Sequence, residues 1–236
     1  MHIPDGFVNL YICIAMFVVA ALFLIWAWKG TRRSLKGIYV PLIAISSAIL
    51  LLVQFIEFPA AGGASTWHIM GGTIIAMVLG PHATIISMTL TLIIQALLGD
   101  GGISTFGVNV VNMAIIGGLS FYLVKIFNCK SFSKKQLGIS VFAAAWVSNT
   151  LTGLITGVEI GIAPLVGSVG GLAVTVPTML ILYVPTGFIE GIVGSVLIVA
   201  LSRINGVKLY GLELIYQSVK NKLKSSKDGT IVNTQI

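Results

Sequence analysis

The chain has 236 residues, of which 56% are apolar and only 9% charged, and its mean hydropathy is +1.02. A soluble surface needs about a quarter of its residues charged, and a disordered chain needs few apolar ones, so both classes are excluded and an all-α integral membrane protein is expected. The formal charge of +7 lies in clusters between apolar runs rather than among exposed aromatics, which makes it a topology signal and not a nucleic-acid surface.

In chain order, the opening Met1-His2-Ile3-Pro4-Asp5-Gly6 has no basic leader and carries an acid, so it reads as the mature start rather than a signal peptide. Spans of about 20 apolar residues are expected at 8–28, ending at Lys29, and at 38–56. The apolar stretch from Ile69 to Leu98 is cut by Leu79-Gly80-Pro81-His82 and reads as two short spans folded into a hairpin. A fifth span is expected at 104–127 and a sixth at 137–156. Hydropathy alone leaves 160–202 as one span or two, and charge decides. The basic clusters are Lys29, Arg32, Arg33 and Lys36; then Lys125, Lys130, Lys134 and Lys135; then Arg203, Lys208 and the lysine-rich tail. All belong on the cytoplasmic side, so an even number of crossings separates each pair. A last span is therefore expected at 176–202, bent at Pro185, with Gly161 to Gly171 an outer loop or re-entrant segment. The sum is about seven transmembrane helices, N-terminus outside and C-terminus cytoplasmic. The expected organisation is a metal-chelating segment over 1–7, a helical bundle over 8–204 and a flexible basic tail over 205–236.

Under this topology Asp5, Glu57, Asp100 and Glu159 lie at the outer ends, away from every Lys and Arg. A mouth lined by carboxylates attracts cations, although the rule that keeps Lys and Arg inside empties the outer face of them in any membrane protein. Cys13 and Cys129 have no metal-ligand spacing and read as inert.

Met1 and His2 carry the most specific chemistry. A free amino terminus, the amide nitrogen of residue 2 and the Nδ1 of a residue-2 imidazole close fused five- and six-membered rings around one ion, with three nitrogens in a plane. Nickel(II) and copper(II) favour such tetragonal nitrogen sites. His68, expected on the same side at the mouth of the third span, supplies the imidazole that the plane lacks. The other reading of His68 is an interfacial histidine beside an anchoring Trp67. His82, at the cytoplasmic turn, is given no role.

Three stretches carry a resemblance: Met1 to Phe7; the loop from Phe58-Pro59 through His68 to Gly71-Gly72; and Gln95-Ala96-Leu97-Leu98-Gly99-Asp100-Gly101-Gly102 followed by Gly107-Val108-Asn109-Val110-Val111-Asn112-Met113-Ala114. Together they resemble the nickel/cobalt substrate-capture subunits of energy-coupling-factor (ECF) transporters, most strongly over residues 1–120. The resemblance implies a non-enzymatic subunit embedded in the cell membrane. It captures Ni²⁺ or Co²⁺ from outside as a transported ligand, not a cofactor, holding it with the Met1 amine, the His2 amide and imidazole, and His68. It also implies partners: a transmembrane coupling subunit, cytosolic ATPase subunits and often a small accessory membrane subunit. The chain departs from the family's common Gly-Gly-Thr-Ser-Gly-His loop by one extra residue and by Trp67 before His68.

Asn109 and Asn112 are three apart and share a helix face, and Gln95 lies near the outer end of the fourth span. These amides either tie the N-terminal segment to the bundle and orient the imidazoles, or join helix to helix. Asp5 is expected to accept from the Met1 amine or a histidine N–H, or to cap the first helix at Gly6-Phe7. Glu190, the one carboxylate inside a span, reads as a structural hydrogen bond or a contact with a partner membrane subunit. Gly71-Gly72, Gly117-Gly118, Gly153, Gly157, Gly187, Gly191 and Gly194 supply small-residue faces for close helix packing. No Gly-x-x-x-x-Gly-Lys-[Ser/Thr] loop is present, so a partner must supply the energy for transport. Two rival functions are a self-sufficient secondary metal-ion transporter, which would show matched halves, and an intramembrane enzyme with Ser120 and His82 as nucleophile and base.

Overall fold

The computed structural model describes residues 2–34, 37–60, 65–128, 133–162 and 171–227. Helices α1 (Leu10–Ser34) and α2 (Tyr39–Gln54) are followed by an antiparallel ribbon of β1 (Phe58–Ala60) and β2 (Ser65–Trp67), which pairs Phe58 with Trp67. Next come α3 (Gly72–Leu79), α4 (Pro81–Leu98) and a continuous helical run made of α5 (Phe106–Asn109), a π turn (Val110–Ile115) and α6 (Ile116–Phe127). The chain continues through α7 (Lys134–Gly161), α8 (Leu172–Leu201) and α9 (Tyr210–Lys227).

Among the described residues, five segments are long and apolar enough to cross a membrane: Leu10–Arg32, Pro81–Leu98, Phe106–Phe127, Lys134–Gly161 and Leu172–Leu201. The two other expected spans are shorter. Helix α2 has 16 residues and α3 only 8, the latter about 12 Å of helix at 1.5 Å per residue. Helix α3 therefore reaches through part of a bilayer only. It stops where the sequence places the break: Gly80 takes φ +85°, and Pro81 starts α4 at a position where a missing N–H leaves no bond unmade. Helix α8 passes through Pro177 and Pro185 as one element. Most of the outer loop expected between Gly161 and Gly171 lies outside the described residues, as do Met1 and Cys129.

Helices α7 and α8 form an antiparallel hairpin packed on glycine at successive levels. A Cβ at Gly153 would come within 2.6 Å of the Tyr183 Cβ, one at Gly187 within 2.8 Å of the Asn149 Cβ, and one at Gly157 within 2.8 Å of the Val176 Cα. In lipid no hydrophobic force draws helices together, so the attraction comes from this close approach and from bonds across it, such as Thr175 Oγ1 to the Gly157 carbonyl (2.6 Å). Leu10, Phe17 and Leu22 of α1 and Ile181 and Val196 of α8 point outward, as lipid-facing side chains must.

Within the segment expected as a flexible tail, the described residues Tyr210–Lys227 form an amphipathic helix, α9. Leu209, Leu212, Ile215 and Val219 recur at helical spacing and are buried in one cluster with Ala76 and Met77 of α3. Its lysines hide this stripe from a reading based on charge alone.

Candidate metal site

The segment from His2 to Asn9 contains no helix, yet it is fastened at both backbone groups of Ile3. The Ile3 N–H donates to Asn109 Oδ1 (2.8 Å) and Asn109 Nδ2 donates to the Ile3 carbonyl (3.1 Å), so one side-chain amide pairs with the backbone as a neighbouring strand would. The same carbonyl accepts from the Gly102 N–H (3.1 Å) and the Thr105 hydroxyl (2.5 Å). Asp5 accepts from the Ile103 N–H (3.1 Å), the Ser104 N–H (2.8 Å) and the Ser104 hydroxyl (2.5 Å). Its negative charge thus sits at the amino end of the 106–127 helical run, and the Ser104 hydroxyl above all holds its carboxyl below the usual range. Capping of α1 falls instead to Asn9, whose Oδ1 accepts from the Tyr11 N–H (3.0 Å). Asp5 lies too far ahead of Leu10 to reach those amides.

The Gly-Asp-Gly-Gly turn places the next wall. Helix α4 ends in a Schellman motif: Gly99, at φ +87°, donates to the Ala96 carbonyl and Asp100 donates to the Gln95 carbonyl. Asp100 emerges against His2, with Asp100 Oδ1 at 2.9 Å from His2 Nδ1. Gly101 has φ +92°, and a Cβ there would meet the His2 Cβ at 3.3 Å; a Cβ at Gly102 would meet the Asp5 N at 2.5 Å. Only glycine lets this turn lie so close to the N-terminal segment.

His2 and His68 then meet. Their rings stack with centroids 4.8 Å apart and planes inclined by 23°, and both side chains are buried. Glu57 Oε2 lies 3.8 Å from His2 Nδ1, and one ligand atom from each of His2, Glu57 and His68 falls within 4.8 Å of the others. His68 Nδ1 is 2.9 Å from the Ile69 carbonyl, a contact that requires Nδ1 to carry the proton and leaves Nε2 with a bare lone pair. That Nε2 is buried without a hydrogen-bond partner, as are His2 Nε2 and Asp100 Oδ2. Burial also holds the His68 imidazole well below its usual pKa, which keeps it neutral. Thr66 Oγ1 lies 3.3 Å from the His2 amide nitrogen and 3.5 Å from His2 Nδ1, so both nitrogens face the same point.

Trp67 and Glu190 position His68. The Trp67 indole N–H donates to the Thr186 hydroxyl on α8 and its ring packs on Phe58, which anchors the ribbon and turns the next residue inward. The departure from the family loop thus has a structural use. Glu190 Oε2 accepts from the Met70 N–H (2.8 Å) and Oε1 from the Gly71 N–H (3.0 Å), while Gln54 Nε2 donates to the Met70 carbonyl (2.8 Å). The residues immediately after His68 are therefore gripped from two helices. Gln95 reaches this turn through Gln54, its Nε2 donating to Gln54 Oε1 (3.2 Å), rather than by touching the N-terminal segment. The sequence signal for Gln54 is that it is the one amide in the apolar run 38–56.

Asn112 does not share the work of Asn109. The π turn that starts at Val110 rotates it away from the N-terminal segment, and its Nδ2 donates to Glu159 Oε2 (2.5 Å) and Thr156 Oγ1 (3.3 Å) on α7. Glu159 is thereby a partner of Asn112, whereas Glu57 and Asp100 face the histidines. His82 packs beneath the Trp26 ring, centroids 4.3 Å apart, against Gly30 of α1. Ser120 donates to the Gly117 carbonyl (2.6 Å), within its own helix.

The family model for the cobalt uptake substrate-specific transmembrane region, CbiM, matches residues 2–206. The chain is 32% identical over 232 residues to a candidate cobalt transport protein, CbiM 1, of Methanocorpusculum labreanum, covering 96% of this chain and 100% of that one. It is 31% identical over 218 residues to the fused nickel transport protein NikMN of Rhodobacter capsulatus, covering 87% of this chain and 62% of that protein. Its fold is similar to the crystal structure of a transition metal transporter, with a TM-score of 0.79 at 30% identity over 92% of this chain and 99% of the other.

Proposed function

This chain belongs to the family of cobalt uptake substrate-specific transmembrane regions, a non-enzymatic, multi-pass component of cobalt or nickel uptake, and from that premise we propose that it captures Ni²⁺ in a four-nitrogen plane. The ligands are the Met1 amine, the His2 amide nitrogen, His2 Nδ1 and His68 Nε2. The observation that carries this reading is the placement of His2. Its amide nitrogen and Nδ1 face one point, marked by the Thr66 hydroxyl, as the six-membered chelate ring requires, and the bare His68 Nε2 belongs to the ring stacked beside it. A planar four-nitrogen set favours nickel over cobalt. Loading requires the His2 amide and Nδ1 to give up their protons. Asp100 lies within hydrogen-bonding distance of Nδ1, and Glu57 and Asp100 add negative charge beside the incoming cation.

The mouth faces outside, opposite the basic clusters, and the metal is carried inward when partners hydrolyse ATP and tip this subunit in the membrane. Those partners are a transmembrane coupling subunit, cytosolic ATPase subunits and a small accessory membrane subunit. Calorimetry on the purified chain carrying one extra residue before Met1 tests the chelate: nickel binding is lost if the amine is a ligand, and undiminished affinity defeats the proposal. The His68→Ala chain should lose the yellow d–d absorption of planar nickel(II), and an unchanged spectrum would place the fourth ligand elsewhere.

A further inference from the structure

Away from the metal mouth, where α7 begins and α8 ends, the hairpin carries a groove of about 530 Å³. Lys134, Lys135 and Arg203 form its rim, and Ile139, Val196 and Val199 continue it along the helices. We propose that this groove binds an anionic phospholipid, with the phosphate between Lys135 and Arg203 and one acyl chain along Ile139, Val196 and Val199.

The lining has three cations and no carboxylate, so it suits an anion. Lys134 is committed to the fold, its Nζ donating to the Ser202 carbonyl (2.9 Å) and hydroxyl (2.8 Å), which ties the start of α7 to the end of α8. Lys135 and Arg203 are exposed beside it, and among the described residues neither is ion-paired. The depth matches a lipid: the rim lies at the ends of two membrane-spanning segments, and the apolar part begins within about a turn and a half of it. Ile139 is 52% and Val196 65% exposed, so the trough opens sideways toward hydrocarbon. Its depth comes from Gly138, where a Cβ would stand 3.0 Å from Ser195 Oγ and fill the floor. A free phosphate would use the rim alone, whereas a phospholipid uses rim and trough together, as basic pockets between spans do.

Thermal unfolding of the detergent-purified full chain tests this with phosphatidylglycerol, phosphatidylcholine and inorganic phosphate. Phosphatidylglycerol should raise the melting temperature and the other two should not. The Lys135→Gln/Arg203→Gln chain should show an apparent phosphatidylglycerol affinity about thirtyfold weaker, the loss expected of two cations. Equal effects of phosphatidylcholine, an effect of phosphate matching that of phosphatidylglycerol, or unchanged affinity in the double variant would overturn the assignment. A photo-crosslinker at Val196, used in cell membranes on a chain with its charges intact, should capture an adduct of one phospholipid's mass. A protein-sized adduct would give the groove to a partner subunit instead.

Discussion

The N-terminal segment around His2 and the α7–α8 hairpin both hold chain against chain inside a membrane, and they do it with a different balance of close packing and directed bonds. The hairpin presses glycine against side chain and backbone at level after level, supplemented by hydrogen bonds across it from Thr175 Oγ1 to the Gly157 carbonyl, from Trp146 Nε1 to the Val184 carbonyl and from Lys134 to Ser202. The N-terminal segment has no regular structure and is held by directed bonds: one donated to and one from Asn109, three to Asp5 and further bonds to the Ile3 carbonyl. Close packing fixes the spacing of long rods. Hydrogen bonds fix single atoms, and a metal site needs single atoms fixed.

The sharpest test of this contrast changes the hairpin. A Gly153→Leu side chain would drive into Tyr183, with an expected loss of about 3 kcal/mol in stability and a fall of roughly 10 °C in melting temperature. Nickel affinity of the folded fraction, measured by calorimetry at low temperature, should stay within about threefold, since directed bonds elsewhere hold the proposed ligands. A parallel collapse of affinity would show that the two regions are not separable. Asn109→Ala is the converse: if the proposed chelate holds, calorimetry should give a nickel affinity about 10- to 100-fold weaker, because the segment that carries the proposed ligands loses its clamp, with a much smaller change in melting temperature. Glu190→Gln replaces one of two acceptors under the His68 turn by a donor, and about tenfold weaker nickel binding is expected. If binding were unchanged, the grip on Met70 and Gly71 would be unrelated to the placement of His68.

The smallest effect is a pH dependence. Burial lowers the folded pKa of His68 below the usual 6.5, so between those values the unfolded chain binds more protons than the folded one. The stability linked to a neutral His68 is complete above about pH 6.5 and is lost as the pH falls toward the lower folded value. Metal-free melting temperature should therefore decline below that pH, and the His68→Ala chain should decline less. Equal slopes would place His68 in contact with water.

Much of this arrangement was legible in the chain. The apolar runs gave the long helices, Gly80-Pro81 gave the break between α3 and α4, and the Met-His start with His68 gave the pair of rings that the fold stacks. Other features were hidden because they depend on contacts distant in sequence. Nothing local says that Asn109 turns to Ile3 while Asn112 turns to Glu159, since the π turn that separates them leaves no mark in composition. Gln95 looked like a direct tether and proved to act through Gln54. The tail looked disordered by charge, although its stripe of Leu212, Ile215 and Val219 was waiting for the short α3 to cover.

By itself the sequence determined the solvent, the order of the long helices and the residue types able to ligate a metal. Each of these follows from hydropathy, chain stiffness or side-chain chemistry, which belong to residues taken singly or in local runs. Tertiary structure alone decided which ligating atoms share a space, which amide grips the chain end and how far α3 penetrates. Those outcomes are set by where glycine allows backbones to touch and by which buried polar atoms then find partners, and both are properties of residue pairs far apart along the chain.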